Sequence, residues 1–178
     1  DILEIGGHHK GKRGKDSENK QPTLLILSTL EDNNYPQYVK LHTLPNYKGE
    51  PIEEYLKEKC LFDPTIVINC DRDKAFFCLN KLAQLENSVV DYTKENHKLK
   101  WLNTFIGNIQ SNINHLYRLV KKRDLPLFLS EQEWRINHRY SGKRIMDKVK
   151  KYISMSTPVT FKQITNSVLA YEKQFLSA

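Results

Sequence analysis

Thr65-Ile66-Val67-Ile68-Asn69-Cys70-Asp71 is a short, nearly continuous apolar run that ends on an acid. Its β-branched residues favour an extended chain, and the lack of polar alternation predicts a central strand over residues 65–69, covered on both faces. A carboxylate delivered at the carboxyl end of such a strand is costly unless it is paired or holds a cation. Asp71 is therefore a candidate ligand, although an Asp in this position taken alone more often caps the following turn.

Working outward, Thr23 to Leu30 and Tyr38 to Leu44 read as two strands of a hairpin, joined by the turn-forming Glu31-Asp32-Asn33-Asn34. Behind Gly49, the segment Pro51 to Cys60 places Ile52, Tyr55 and Leu56 at helical spacing, with Pro51 tolerated in the first turn. Beyond Asp71, Lys74 to Leu85 is helical by pattern, with Phe77, Leu79, Leu82 and Leu85 available for burial. Ser88 to Tyr92 reads as a further short strand. With a strand carrying Asp1 placed ahead of these, the order of elements is that of an RNase H-like domain. The expected fold is α/β, a mixed sheet with flanking helices and its acids on neighbouring central strands.

From Trp101 the chain turns helical. Leu102, Phe105, Ile106, Ile109, Ile113, Leu116 and Val120 trace one apolar stripe, and Asn103 lies off it. After Asp124-Leu125-Pro126, a second helical region runs from about Phe128 to Ile153 with an interruption near Ser141-Gly142, followed by an amphipathic segment from Thr157 to Leu176. These signals divide the chain into one α/β domain at 1–153 and a helical carboxyl-terminal extension at 154–178.

The 178 residues, 39% hydrophobic, are enough for one substantial core. A balance of 28 Lys+Arg against 21 Asp+Glu gives a formal charge of +7 and favours a polyanionic partner, nucleic acid first. Three cysteines, Cys60, Cys70 and Cys78, without a CxxC pair support neither a disulfide framework nor a zinc ribbon, and read as buried small hydrophobes in a reducing compartment. No apolar run approaches the roughly 18 residues of a membrane span. The segment from Gly6 to Pro22, rich in Gly, Lys, Arg, His and Ser, reads as a solvated basic loop, and His8 and His9 within it point in different directions rather than at one metal.

Three motifs then combine. Asp1 stands five residues before Gly6-Gly7 and the run His8-His9-Lys10-Gly11-Lys12-Arg13-Gly14; Asp71 follows an apolar strand and precedes Ala75-Phe76; and Asn103 sits in Trp101-Leu102-Asn103-Thr104-Phe105-Ile106-Gly107-Asn108. A fourth, Leu129-Ser130-Glu131-Gln132-Glu133-Trp134-Arg135-Ile136-Asn137-His138-Arg139, supplies an acidic residue followed by Arg, Asn and Arg. In this order the four resemble the DDE-type transposases of bacterial insertion sequences in the ISXO-like class, related to the Merlin transposons of eukaryotes. Asp73 is a near rival of Asp71. Gln110 stands where the family commonly has a lysine, and Glu4 where it has an aromatic.

The resemblance implies an RNase H-like fold and a two-metal phosphoryl-transfer site in which Asp1, Asp71 and Asn103 hold Mg²⁺ or Mn²⁺. It further implies DNA as partner, both transposon ends and target, a homo-oligomer assembled on that DNA, and a bacterial cytoplasmic, nucleoid-associated setting. Asn103 offers a neutral amide oxygen where a carboxylate would bind more tightly, so compensation by Asp73 or Glu131 is expected. Taken alone, Asn103 is most simply a helix cap. Lys10, Lys12, Arg13, Lys15, Gln110, Arg135 and Arg139 are expected to contact DNA, with Lys143, Arg144, Lys148, Lys150 and Lys151 as a second phosphate-facing strip. Trp101 and Trp134 read as core anchors. If Asp1 were a true amino terminus, its ammonium would repel a cation at this site. The competing functions are a catalytically inactive DNA-binding remnant and a stand-alone RNase H-like nuclease such as a junction resolvase.

Overall fold

The computed structural model describes residues 1–6, 20–30, 35–60, 66–71, 73–87, 99–116, 120–140, 142 and 144–167. The basic run with Lys10, Lys12, Arg13 and Lys15, the turn at 31–34, the strand expected at Ser88 to Tyr92, Lys143 and the tail beyond 167 lie outside the described residues.

Strands β1 (Ile2–Ile5), β2 (Gln21–Thr29) and β3 (Pro36–Thr43) form an antiparallel sheet in the order β1-β2-β3. Alternation along β2 assigns its two faces. Leu25 packs with Leu3, Ile5, Val39 and Leu41 beneath the helical stripe Leu102, Phe105, Ile109 and Ile113, while Leu24 faces Ile52, Tyr55, Leu56, Phe76 and Leu79 on the other side. The sheet is thus the middle of three layers. Helices α2 (Lys100–Leu116) and α3 (Leu125–Asn137) lie on the first face, and α1 (Gly49–Lys59) with the 3₁₀ helix Lys74–Lys81 on the second. The expected hairpin, crossover helix and α2 stripe all form.

A second sheet, β4 (Val67–Cys70) and β5 (Gln84–Asn87), is parallel and separate. This corrects the expectation of one mixed sheet. Asp1 exchanges two backbone bonds with Leu25, at 3.0 and 2.8 Å, so by the alternation of an antiparallel ladder Ile2 and Glu4 point their backbone groups away from β2. Those outward groups are already engaged: the Asp1 carboxylate accepts from the Ile2 N–H at 2.7 Å and the Gln110 amide donates to the Glu4 carbonyl at 3.2 Å. Side chains thus occupy positions a neighbouring strand would need.

Nor is β4 covered on both faces. Ile66 and Val67 are exposed and only Cys70 is buried, because the two-stranded sheet rests one side on the α1 layer. The segment expected as one helix from Lys74 to Leu85 is a 3₁₀ helix that ends at Lys81, with Leu85 on β5. Gly49 is required where α1 meets this turn, since a Cβ there would sit 2.8 Å from the Ala75 carbonyl oxygen.

The second helical region is broken where the sequence indicated. Helix α3 ends at Asn137, Gly142 takes φ of 50°, and α4 (Arg144–Met155) follows without a single buried residue. Residues 161–167 are helical again. Trp101 is half-buried against Tyr35, ring centroids 5.6 Å apart, and Trp134 stacks on His138 at 4.5 Å.

Candidate active site at the ends of β1 and β4

Asp1 directly precedes β1 and Asp71 directly follows β4. In the chain as given, burial lowers the Asp1 amino group to a pKa of about 6, while the Asp71 carboxylate, and after it Cys70, pull in the opposite direction. Asp71 therefore stands within electrostatic reach of the start of β1. Its Oδ1 accepts the Asp73 N–H at 3.1 Å, a local bond that orients the half-buried carboxylate. The Asp73 carboxylate accepts from the Ala75 N–H at 3.0 Å and so caps the 3₁₀ helix. The cap expected near this strand end is thus the work of Asp73.

Helical geometry locates Asn103. Gln110, on the same face of α2 two turns later, bonds Glu4 on β1, and Trp101 at the head of α2 packs on Tyr35 beside the start of β3. Helix α2 consequently runs alongside β1 in the same direction. Asn103 thus shares the face of α2 from which Gln110 reaches β1, and it is half-buried.

Two carboxylates and a carboxamide are hard oxygen donors, and with water they suit Mg²⁺ or Mn²⁺. No cluster of three His, Cys, Asp or Glu capable of holding a metal occurs among the described residues. The carboxylates expected to compensate are elsewhere engaged: Asp73 as the cap, and Glu131 with Arg135 at 2.7 Å on α3. Cys60, Cys70 and Cys78 are free thiols whose pKa values burial raises, in keeping with a packing role.

The residues expected to contact DNA divide. Gln110 holds the β1 edge. Arg139 donates to the carbonyls of Ile136 at 2.9 Å, Gln37 at 3.4 Å and Pro36, stitching the end of α3 to the start of β3. Arg135 is exposed and paired with Glu131, while Arg144, Lys150 and Lys151 are exposed on α4. The sequence reading missed the roles of Glu133 and Asn137. Asn137 bonds both the N–H and the carbonyl of Val39, at 2.8 and 2.9 Å, and Glu133 accepts from the Leu41 N–H at 3.1 Å and from Lys40 at 2.8 Å. The acidic-Arg-Asn-Arg pattern thus covers the open edge of β3. Its i, i+4 spacing was the available signal.

What the fold defines is a class: an α/β domain on a basic chain, with a three-stranded antiparallel sheet between helical layers. The family is then settled by the match of the ISXO2-like transposase domain over residues 4–137, three quarters of the chain. The chain belongs to this family of transposase domains. Asp71 and Asn103 fall within the matched span and Asp1 just before it. No curated protein and no solved structure matches the chain. No helix among the described residues is long and apolar enough to cross a membrane.

Proposed function

We propose that this domain is the catalytic domain of an insertion-sequence transposase that cleaves DNA at transposon ends and joins the freed 3′ end to target DNA, with Asp1, Asp71 and Asn103 as the ligands of two divalent ions. What supports this reading is the match of residues 4–137 to the transposase domain, together with the electrostatic influence of Asp71 on the amino end of β1.

A divalent pair held by Asp1, Asp71 and Asn103 would activate a water or 3′-hydroxyl for attack and offset the charge on the leaving oxygen. The chain's own residues do the rest. The Asp73 N–H fixes the rotamer of Asp71, the Ile2 N–H fixes that of Asp1, and the burial of Leu3, Ile5 and Ile109 ties α2, and so Asn103, to β1. The basic residues, among them Lys10, Lys12, Arg13 and Lys15, offset the phosphates' charge and make binding salt-dependent. DNA binding and assembly as an oligomer on two transposon ends belong to this reading.

A second reading, an inactive DNA-binding remnant, is favoured by the neutral Asn103 and by the fact that no third carboxylate joins Asp1 and Asp71 among the described residues. Mg²⁺- or Mn²⁺-dependent nicking and strand transfer on labelled DNA separates the two, using the chain, an amino-terminally extended form and Asp71→Ala. Products that need metal and vanish in Asp71→Ala support the transposase. DNA retention without cleavage in either form supports the remnant.

A further inference from the structure

On the flank of α2 opposite Asn103, a cleft of about 290 Å³ opens between α2 and α3. Its floor is Gln132, 2% exposed, whose Oε1 accepts from Asn112 Nδ2 at 3.0 Å and whose Nε2 is buried with no partner among the described residues. Asn108 and Ser111 stand at the exposed rim, and Phe105 and Ile136 supply apolar walls.

A buried amide nitrogen without a partner costs about 1–3 kcal/mol, so the floor is incomplete as it stands. Exchanging O and N in both amides preserves the Asn112–Gln132 bond and turns the free atom from donor to acceptor. The floor can therefore answer a ligand edge of either polarity. It carries little free charge: Arg139 is held by three backbone carbonyls and Arg135 by Glu131, which disfavours a phosphate. At one end the Arg139 guanidinium lies 5.7 Å from the Phe105 ring and 4.4 Å from that of Tyr140, which stacks in turn on Tyr35. A neutral planar ligand with mixed donors and acceptors satisfies all of these surfaces. Carboxamides pair with the edge of adenine, and aromatic and guanidinium planes stack on bases.

We infer that the α2–α3 cleft receives one unstacked nucleobase, preferentially adenine, of the DNA strand held by the domain. This rests on the DNA reading proposed above. The cleft reads the base edge with Asn108, Asn112 and Gln132, and the cost of unstacking is offset by satisfying the buried amide.

Two probes test it. The first is adenosine alone, followed through the side-chain amide resonances of Asn108, Asn112 and Gln132. The second compares a single strand carrying one adenine on an otherwise abasic backbone with a wholly abasic strand of equal length, so that the phosphate contribution is constant. Adenosine should shift the three amides, and the lone adenine should tighten binding about tenfold, an advantage that falls below about twofold in Asn108→Ala and Gln132→Met. Asn108 is exposed, so its variant serves even if Gln132→Met fails to fold. Unshifted amides would mean the cleft holds solvent only and would overturn the inference with DNA binding intact. Shifted amides without an adenine advantage would overturn the DNA part and leave a site for free nucleosides. If neither strand binds, the proposed function fails together with the DNA part, and the adenosine shifts alone decide whether the cleft takes a base.

Discussion

At the scale of single residues, burial makes His42 sensitive to pH. His42 stacks on Tyr55 with ring centroids 3.8 Å apart, and its pKa drops from 6.5 to about 4, first through desolvation and then through the Lys40 charge, with Glu58 opposing. The unfolded chain takes up this proton near pH 6.5 and the folded chain only near 4. Stability is therefore full above the unfolded value and is lost as pH falls from about 6.5 to 4. The shift would be worth about 3 kcal/mol for a fully buried ring; solvent screening at this partly exposed site reduces that to about 1–2 kcal/mol. Chemical denaturation across that range should show the loss, and His42→Phe should flatten it. An unchanged pH slope in the variant would refute the assignment.

The elements depend on contacts that neither partner makes alone. Helix α3 completes β3 through its side chains, and Asn137 replaces both ladder bonds that a further strand would give Val39. Asn137→Ala should cost about 2–3 kcal/mol, measured as a fall in the urea midpoint, because it strands a donor and an acceptor together. Asn137→Asp keeps the acceptor for the Val39 N–H but turns its second oxygen on the Val39 carbonyl, so it should not recover the loss. The packing of α1 on the 3₁₀ helix depends in the same way on a missing side chain: Gly49→Ala would press its methyl into the Ala75 carbonyl oxygen and should destabilise by about 1–3 kcal/mol. A melting temperature equal to wild type would mean that the helix shifts freely. Both effects escape a helix-by-helix reading, because propensity would rank Ala above either residue.

For the molecule as a whole, the described core lies between β1 and α3, and α4 contributes no buried residue. Removing residues 144–178 should therefore change the unfolding free energy by less than about 0.5 kcal/mol, the range of surface changes, while lowering any salt-sensitive DNA affinity through loss of Arg144, Lys148, Lys150 and Lys151. Calorimetry and a salt titration of the shortened chain check the two halves. A cooperative collapse on truncation would mean that α4 docks on the core after all.

Much of this was legible in order along the chain. The two strands β2 and β3, the stripe Leu102, Phe105, Ile109 and Ile113 and the break at Gly142 follow from local residue pattern and backbone stereochemistry, and the family motifs from their resemblance to known transposase domains. It could not state the partners of its polar groups. Asn137 meets Val39 across 98 positions, Gln110 meets Glu4 across 106, and Arg139 meets Pro36 across 103. A side chain that can contact phosphate can equally satisfy a strand edge, and only the tertiary structure decides which backbone groups are left open. The same holds for β4, whose apolar run specified a strand but not its cover, since burial on a second face requires another layer to arrive there. The sequence by itself thus determined the family and most of the elements, though not the 3₁₀ helix or β5. Tertiary structure determined which polar residues seal edges and where a buried amide is left without a partner among the described residues, because each is set by distance in space between groups remote in the chain.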